Sequence, residues 1–410
     1  MTPARILLTA LLPFASGYFM SYLLRAVNAV VAPDLVRDAG LTPSQLGLLT
    51  AAYLGAFAIF QLPLGVFLDR YGPRKVQSAL LCVAGLGCLA FAAAPGFLGL
   101  FTARAVIGLG FSAGLMASYK SSATWVPIER RSLVNTAIMS AGALGVVVAT
   151  QPTEYLVGEI GWRAAFMVFA ALIFCAALFI FAAAPRADTS ASSAPLRRQF
   201  ADMLAIMRLP LFRRVAPLLG LTSGVQIGIQ TLWAGPWFRD VMGLSREGVA
   251  QHLLWMALSF MCGIFIVGVI ADRLGKRGIS PMSVMLSFNV MYFIAQAIIV
   301  FRFESLMFPA WLGVAAFGQV AILAFPWFAA RVGKDIAGRS NATINFTMFV
   351  AAFAAQYLVG LIIGLFPASA AGYDPRGYSW AIGFFLGLQL LAFAWYFLAP
   401  RTAHDQSHHR

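Results

Sequence analysis

The chain consists largely of apolar runs long enough to cross a lipid bilayer. A helix rises about 1.5 Å per residue, so about 20 apolar residues cross the roughly 30 Å of hydrocarbon. Runs and their breakers mark 12 such segments, near 6–31, 43–68, 76–95, 97–126, 133–157, 163–184, 215–238, 249–271, 281–301, 306–330, 341–366 and 378–399. Hydrocarbon offers no water to backbone N–H and C=O groups, so runs of this length must bond internally as helices. The expected fold class is an all-α membrane protein.

With 60% hydrophobic and 11% charged residues, the chain carries too little polar surface for a soluble domain. Its net charge of +14 would suit a polyanion, but the basic residues sit between apolar runs rather than on one soluble face. That argues against a nucleic-acid partner and leaves the bilayer and a small molecule as partners. Cys82, Cys88, Cys175 and Cys262 lie inside apolar runs without paired metal-ligand spacing and read as small buried residues. The first run is too long for the core of a signal peptide and reads as a retained span.

A charged turn occurs twice. LGVFLDRYGPRKV, from Leu64 to Val76, returns as VGVIADRLGKRGI, from Val267 to Ile279. Gly65, Asp69, Arg70, Gly72 and Arg74 match Gly268, Asp272, Arg273, Gly275 and Arg277, each pair 203 residues apart. A weaker echo pairs Arg131-Ser132 with Arg339-Ser340, 208 residues on. An interval of half the chain indicates two similar halves. The expected organisation is a bundle over 1–184, a Ser- and Arg-rich linker over 185–214, a bundle over 215–400 and a solvated tail over 401–410 that holds His404, His408 and His409. Of the 29 Lys and Arg residues, 20 fall in the termini and connections of one side and 6 on the other. By the positive-inside rule both termini are expected in the cytoplasm, and the short loops suit a bacterial inner membrane.

The two halves, the central basic loop and the pattern G-x-x-x-D-R-x-G-x-[RK] after the second and eighth spans resemble the major facilitator superfamily of secondary transporters. The resemblance covers essentially the whole chain. It implies two pseudo-symmetric six-helix bundles that rock about a midplane cavity, working as a monomer without cofactor or catalysis. It further implies a cytoplasmic latch of Asp69, Arg70, Glu129 and Arg131, mirrored by Asp272, Arg273 and Arg339. The charges suit a gate: Asp69 can face a helix N-terminus, while Arg70 and Arg74 can pair with carboxylates or helix C-termini.

Three cations remain inside the spans: Arg25, Arg104 and Lys120. A central charge costs roughly 2.5 to 3.5 kcal/mol on insertion scales, so each is a functional candidate unless it is paired or reaches an interface. Arg104 is expected to be structural. Tyr22, Arg25 and Asn28 share roughly one helix face, and a guanidinium fork matches carboxylate or phosphate. This segment resembles the first span of organophosphate:phosphate antiporters and organic-anion symporters, where an arginine at this place binds the anion. The seventh run has no arginine to match the antiporters' second phosphate clamp and offers Gln226 and Gln230 instead. Lys120 is a candidate second cation, the competing reading being a pair with Glu129. For Arg25 the competing reading is a pair with Asp34.

Glu154 and His252 are the candidate proton carriers. Trp233, Gln319, Asn345 and Gln356 are candidate cavity residues. The expected activity is proton-coupled uptake of a small organic anion. Two alternatives stay open: proton-antiport efflux of amphipathic compounds, and transition-metal uptake through His252 and Met256, whose imidazole and thioether suit copper. The glycine-rich pattern of the efflux families is missing from GALGVVVATQPTEYLVG, and the seventh run contains no methionine.

Overall fold

The computed structural model describes residues 7–186, 196–332, 337–369 and 372–400. Among these residues every regular element is helical except one hairpin, Ala368–Ser369 with Gly372–Tyr373. Helices α1 (Leu12–Ala26) and α2 (Asn28–Ala39) form the first run and are bent by 47° where they meet. Then come α3 (Pro43–Ala93), α4 (Phe97–Phe111), α5 (Gly114–Trp125), α6 (Ile128–Val148) and α7 (Gln151–Ala183). The second part of the chain holds α8 (Leu196–Arg208), α9 (Pro210–Gly228), α10 (Ala234–Met242), α11 (Arg246–Gly275) and α12 (Pro281–Phe301). It closes with α13 (Met307–Phe317), α14 (Ala324–Val332), α15 (Ala337–Ile363) and α16 (Pro375–Leu398).

Local chemistry sets these boundaries. Thr42 opens α3 with a capping box: its hydroxyl accepts from the Gln45 N–H at 3.2 Å, and Gln45 Oε1 accepts from the Thr42 N–H at 3.0 Å. Gly72 interrupts α3 with φ 77°, which favours glycine, and Pro73 then begins the next stretch where its missing N–H does no harm. Ten helical stretches among the described residues, several of them joining two helices, are long and apolar enough to span a membrane, or eleven with α1 and α2 taken together. That tally takes α3 once, although the break at Gly72 divides it into 43–71 and 73–93, the division the 12-run reading requires.

Three boundaries differ from the sequence reading. The first run continues to Ala39 because Asp34 and Leu35 are buried rather than in a loop. The run expected over 133–157 is two helices, interrupted at Ala149 and Thr150 just ahead of Pro152. The linker expected over 185–214 contains α8 and the start of α9; its ADTSASSAP segment and the histidine tail lie outside the described residues.

Packing places the helices. α3 packs most extensively on α4, then on α15 and α7, while α15 also packs on α9 and α6 on α1. In the stretch Pro210–Met242, 78% of the most apolar window is buried within the protein, against 33% for Arg246–Gly275. The former is central and the latter peripheral. Leu178, Trp380, Leu391 and Leu398 stand exposed as expected of a lipid-facing belt.

Candidate functional site

The helices before residue 187 and those after residue 195 enclose a cavity of about 620 Å³. Tyr18, Tyr22 and Arg25 enter from α1, Met116 and Tyr119 from α5, Met139 from α6, and Asn341, Asn345 and Phe349 from α15. Among the described residues no Asp or Glu lines it.

Arg25 lies one residue before the end of α1, beside the bend. The neighbouring Leu24 carbonyl accepts from Arg104 Nη1 at 3.0 Å, which ties the bend to α4. Arg104 is buried over the Phe91 and Phe166 rings and lies outside the cavity. Arg25 is 9% exposed, and its guanidinium sits 4.7 Å from the Tyr22 ring centroid, 5.1 Å from Phe57 and 5.1 Å from Phe349. Its Nε has no hydrogen-bond partner. Ring faces ease a cation's burial without neutralising it, so Arg25 presents net positive charge to the cavity. Asp34, the competing partner, is bonded elsewhere.

Three glutamine amides line the same cavity. Gln226 is on α9, Gln230 lies in the π turn Ile229–Trp233, and Gln319 precedes the 3₁₀ turn Val320–Leu323. Gln319 Nε2 donates to Gln226 Oε1 at 2.7 Å, and Gln226 Nε2 donates to Gln230 Oε1. Gln356 is buried behind them; its side-chain Nε2 donates to Thr231 Oγ1 at 3.1 Å, and its backbone carbonyl accepts from Trp233 Nε1 at 2.9 Å. It braces the π turn instead of lining the cavity, and Trp233 likewise faces away.

Other candidates are placed elsewhere. Lys120 lies outside the cavity, donating to the Leu68 carbonyl at 2.9 Å and pairing with Asp69 rather than Glu129. Asn28 is fully buried and donates to Thr50 Oγ1 at 2.8 Å, so it packs α2 against α3. His252 is turned toward the Phe308 and Phe238 rings, with Nδ1 2.8 Å from the Gly248 carbonyl, whereas Met256 lines the cavity. The proposed copper pair therefore does not converge.

Glu154 belongs to a charge cluster that joins the two parts of the chain. Arg246, at the start of α11, donates through Nη1 and Nη2 to both oxygens of Asp34 at 3.0 and 2.7 Å, and through Nε to Glu154. The Asp34 side chain is 4% exposed and that of Glu154 14%. Arg37 also pairs with Asp34, at 3.1 Å. The sequence reading missed Arg246, whose partner is 212 residues away; the buried position of Asp34 in an apolar run was the only signal.

At the opposite end, around the Gly72 turn, charges stay local. Asp69 bonds Lys120, Arg74 donates to the Phe181 carbonyl at 2.7 Å, and Arg131 donates to the Val126 and Ala123 carbonyls at 2.9 and 2.7 Å. Arg339 bonds Asp202 of α8 at 2.5 Å. Arg70 lies over Tyr71, and Glu129, Asp272 and Arg273 are exposed without an ion pair among the described residues. The latch inferred from resemblance is not assembled in this conformation. The cavity lining reaches toward this end through Phe325, Pro326 and Asn341, while the Asp34–Arg246–Glu154 cluster ties the two parts of the chain at the other.

Residues 14–356 match the family model of the Major Facilitator Superfamily. The chain belongs to that superfamily. It is a transporter of that fold. It is 25% identical over 384 residues to a probable sulfoacetate transporter, SauU, of Cupriavidus necator, covering 87% of this chain and 86% of that one. It is 27% identical over 156 residues to a galacturonate transporter of Dickeya chrysanthemi (38% of this chain, 45% of that one). A bacterial homologue of the human lysosomal transporter Spinster, solved in an inward-facing and unoccupied conformation, superposes with a TM-score of 0.77 at 16% identity over 97% of both chains. That likeness is one of fold.

Proposed function

We propose that the protein imports a small organic anion by alternating access, with Arg25 as the anion-binding residue. The observation that carries this reading is a buried guanidinium that, among the described residues, has no ion pair and an unbonded Nε and lines a central cavity without a carboxylate. A cation in low dielectric draws an anion that can supply paired acceptors, and a bound anion removes the cost of leaving it unpaired. Sulfoacetate and galacturonate, for which the relatives are named, are organic anions near neutral pH. Efflux of cationic amphiphiles would need a carboxylate where the cavity has Arg25.

With the basic turns in the cytoplasm, the conformation is open inward and closed outward. Uptake is then coupled to a proton at Glu154. Asp34 and Glu154 share the single guanidinium of Arg246. A proton arriving from outside neutralises Glu154, releases Arg246 Nε and favours opening on that side. His252, held against aromatic rings, has no part in this cluster.

The test is ligand-dependent thermal stabilisation of the purified protein by panels of carboxylates, sulfonates, phosphorylated metabolites and amphipathic cations, beside Arg25→Ala. Ligand at about 100 times its Kd should add about 2.7 kcal/mol to the stability of the folded protein. Anions should stabilise the wild type and leave the variant unmoved. Stabilisation by cations alone, or by anions equally in both proteins, would refute the reading.

A further inference from the structure

We infer that a second chamber, at the end of the bundle that carries Arg246, binds a small uncharged molecule with an apolar body and a hydrogen-bond donor, and that this occupant holds that end shut.

The chamber measures about 180 Å³ and lies between the two parts of the chain. Val30 and Pro33 of α2 wall one side; Pro236 of α10 and Val249 and Ala250 of α11 wall the other. Ala29 and Val30 border both this chamber and the central cavity. Between the two spaces α2 crosses α10, where a Cβ on Gly235 would collide with the Ala29 backbone carbonyl. An apolar cavity of about 150 Å³ takes up benzene, so a single six-membered ring matches the chamber in size.

Its charges exclude an ion. Glu154, Arg239 and Arg246 border the chamber, and each is already matched. Arg246 holds Asp34 and Glu154, and Arg239 donates to both oxygens of Asp240 at 2.6 and 3.1 Å. Arg37 pairs with Asp34 and with Asp38, which also takes Arg163. Asp34, Asp38, Glu154 and Asp240 thus stand against Arg37, Arg163, Arg239 and Arg246, and the charges cancel. An ion of either sign would enter without a counter-charge. One acceptor is left over: Arg246 bonds Glu154 Oε1, whereas Oε2 makes no hydrogen bond among the described residues. A hydroxyl donor reaching that oxygen makes a charge-assisted bond.

The occupant touches α2 and α7 on one side and α10 and α11 on the other, so it binds only where these helices are together and favours that arrangement. Binding stands independently of the anion site at Arg25; holding the end shut rests on the outward-closed orientation proposed above.

The experiment measures binding to the purified full-length protein of phenol, toluene and benzylammonium, and of benzoate in Arg25→Ala so that the central site does not contribute. Phenol should bind at least fivefold tighter than toluene and at least tenfold tighter than either ion. Ala250→Phe and Val249→Phe, which fill the chamber, should each weaken phenol at least tenfold, with circular dichroism and thermal unfolding reporting that the variants are folded. Phenol affinity kept in both folded variants, toluene or an ion bound as tightly as phenol, or no binding of phenol would overturn the site. The second readout stands even if both variants fail to fold. Thr150 lines the central cavity, and a membrane-impermeant thiosulfonate added outside cells reaches Thr150→Cys only when this end opens. Phenol at ten times its Kd should slow that labelling about tenfold. An unchanged rate would overturn the claim that the occupant holds the end shut. Labelling without phenol as fast as in detergent, where both ends are accessible, would refute the outward-closed orientation instead.

Discussion

The two ends of the bundle use their charged residues in opposite ways. At one end Arg246 reaches across to Asp34 and Glu154, 212 and 92 residues earlier in the chain. At the other, Asp69 takes Lys120 from its own half, and Arg74 and Arg131 cap nearby carbonyls. The difference locates the face at which the two parts of the chain are tied together. A bond within one rigid half has the same energy whichever way the halves tilt, whereas a bond across the boundary exists in only one arrangement and biases the equilibrium by its full worth. The repeated charged turn is the conspicuous feature of the sequence, yet in this conformation it contributes no cross-boundary ion pair among the described residues.

The largest effect should come from jamming the crossing itself. α10 meets α2 where Gly235 lies against the Ala29 backbone carbonyl, close enough that a Cβ would collide. Gly235→Leu should hold the halves apart at this end and reduce proteoliposome uptake at least about 100-fold, since backbone on both sides cannot yield as a side chain does. Full uptake would mean that this contact is not part of the closed state.

Arg246→Ala comes next. It removes three hydrogen bonds and leaves the Asp34 carboxylate, 4% exposed, without its bidentate partner. Breaking a fully buried pair costs about 3 to 5 kcal/mol. Arg246 is 40% exposed, so about 2 kcal/mol is the reasonable figure, shifting the populations roughly 30-fold toward opening at this end. Distance distributions between spin labels on α2 and α11 read the shift directly. An unchanged distribution would return the cluster to the status of ordinary surface pairs.

Glu154→Gln should act more weakly and more selectively. It keeps the Asp34 bridge and loses one charge-assisted bond, about 1 kcal/mol or about fivefold in population. Falling pH protonates Glu154 in the wild type and loosens the cluster, so opening should rise with acidity there and be insensitive to pH in the variant. A pH response that survives the substitution would assign the coupling proton to another group.

Asp69→Asn should do least. Lys120 and Asp69 are 32% and 51% exposed and both belong to the first half, so the loss should stay below about 1 kcal/mol, with anion affinity unchanged. A tenfold fall in anion affinity on Lys120→Ala would reverse the placement of Lys120 outside the site.

Sequence by itself determined the class of solvent, the helical form of every long run and the turn at Gly72. Each follows from local chemistry that holds whatever the neighbours: apolar length against bilayer thickness, and a positive φ that glycine tolerates. It also singled out Arg25, because a cation inside an apolar run is expensive before any partner is known. It kept Lys120 beside Arg25 as a second candidate cation, since both satisfy that test. Only the tertiary structure separated them, giving Lys120 the carboxylate of Asp69 and leaving Arg25 among rings. Tertiary structure likewise turned Asn28 and Gln356 into internal braces, joined Gln319 to Gln226 and brought Asp34 to Arg246. The reason is geometric: a polar side chain's role is fixed by which group lies within about 3 Å, and for these residues that group comes from a helix packed alongside, whose approach no local pattern of residues encodes.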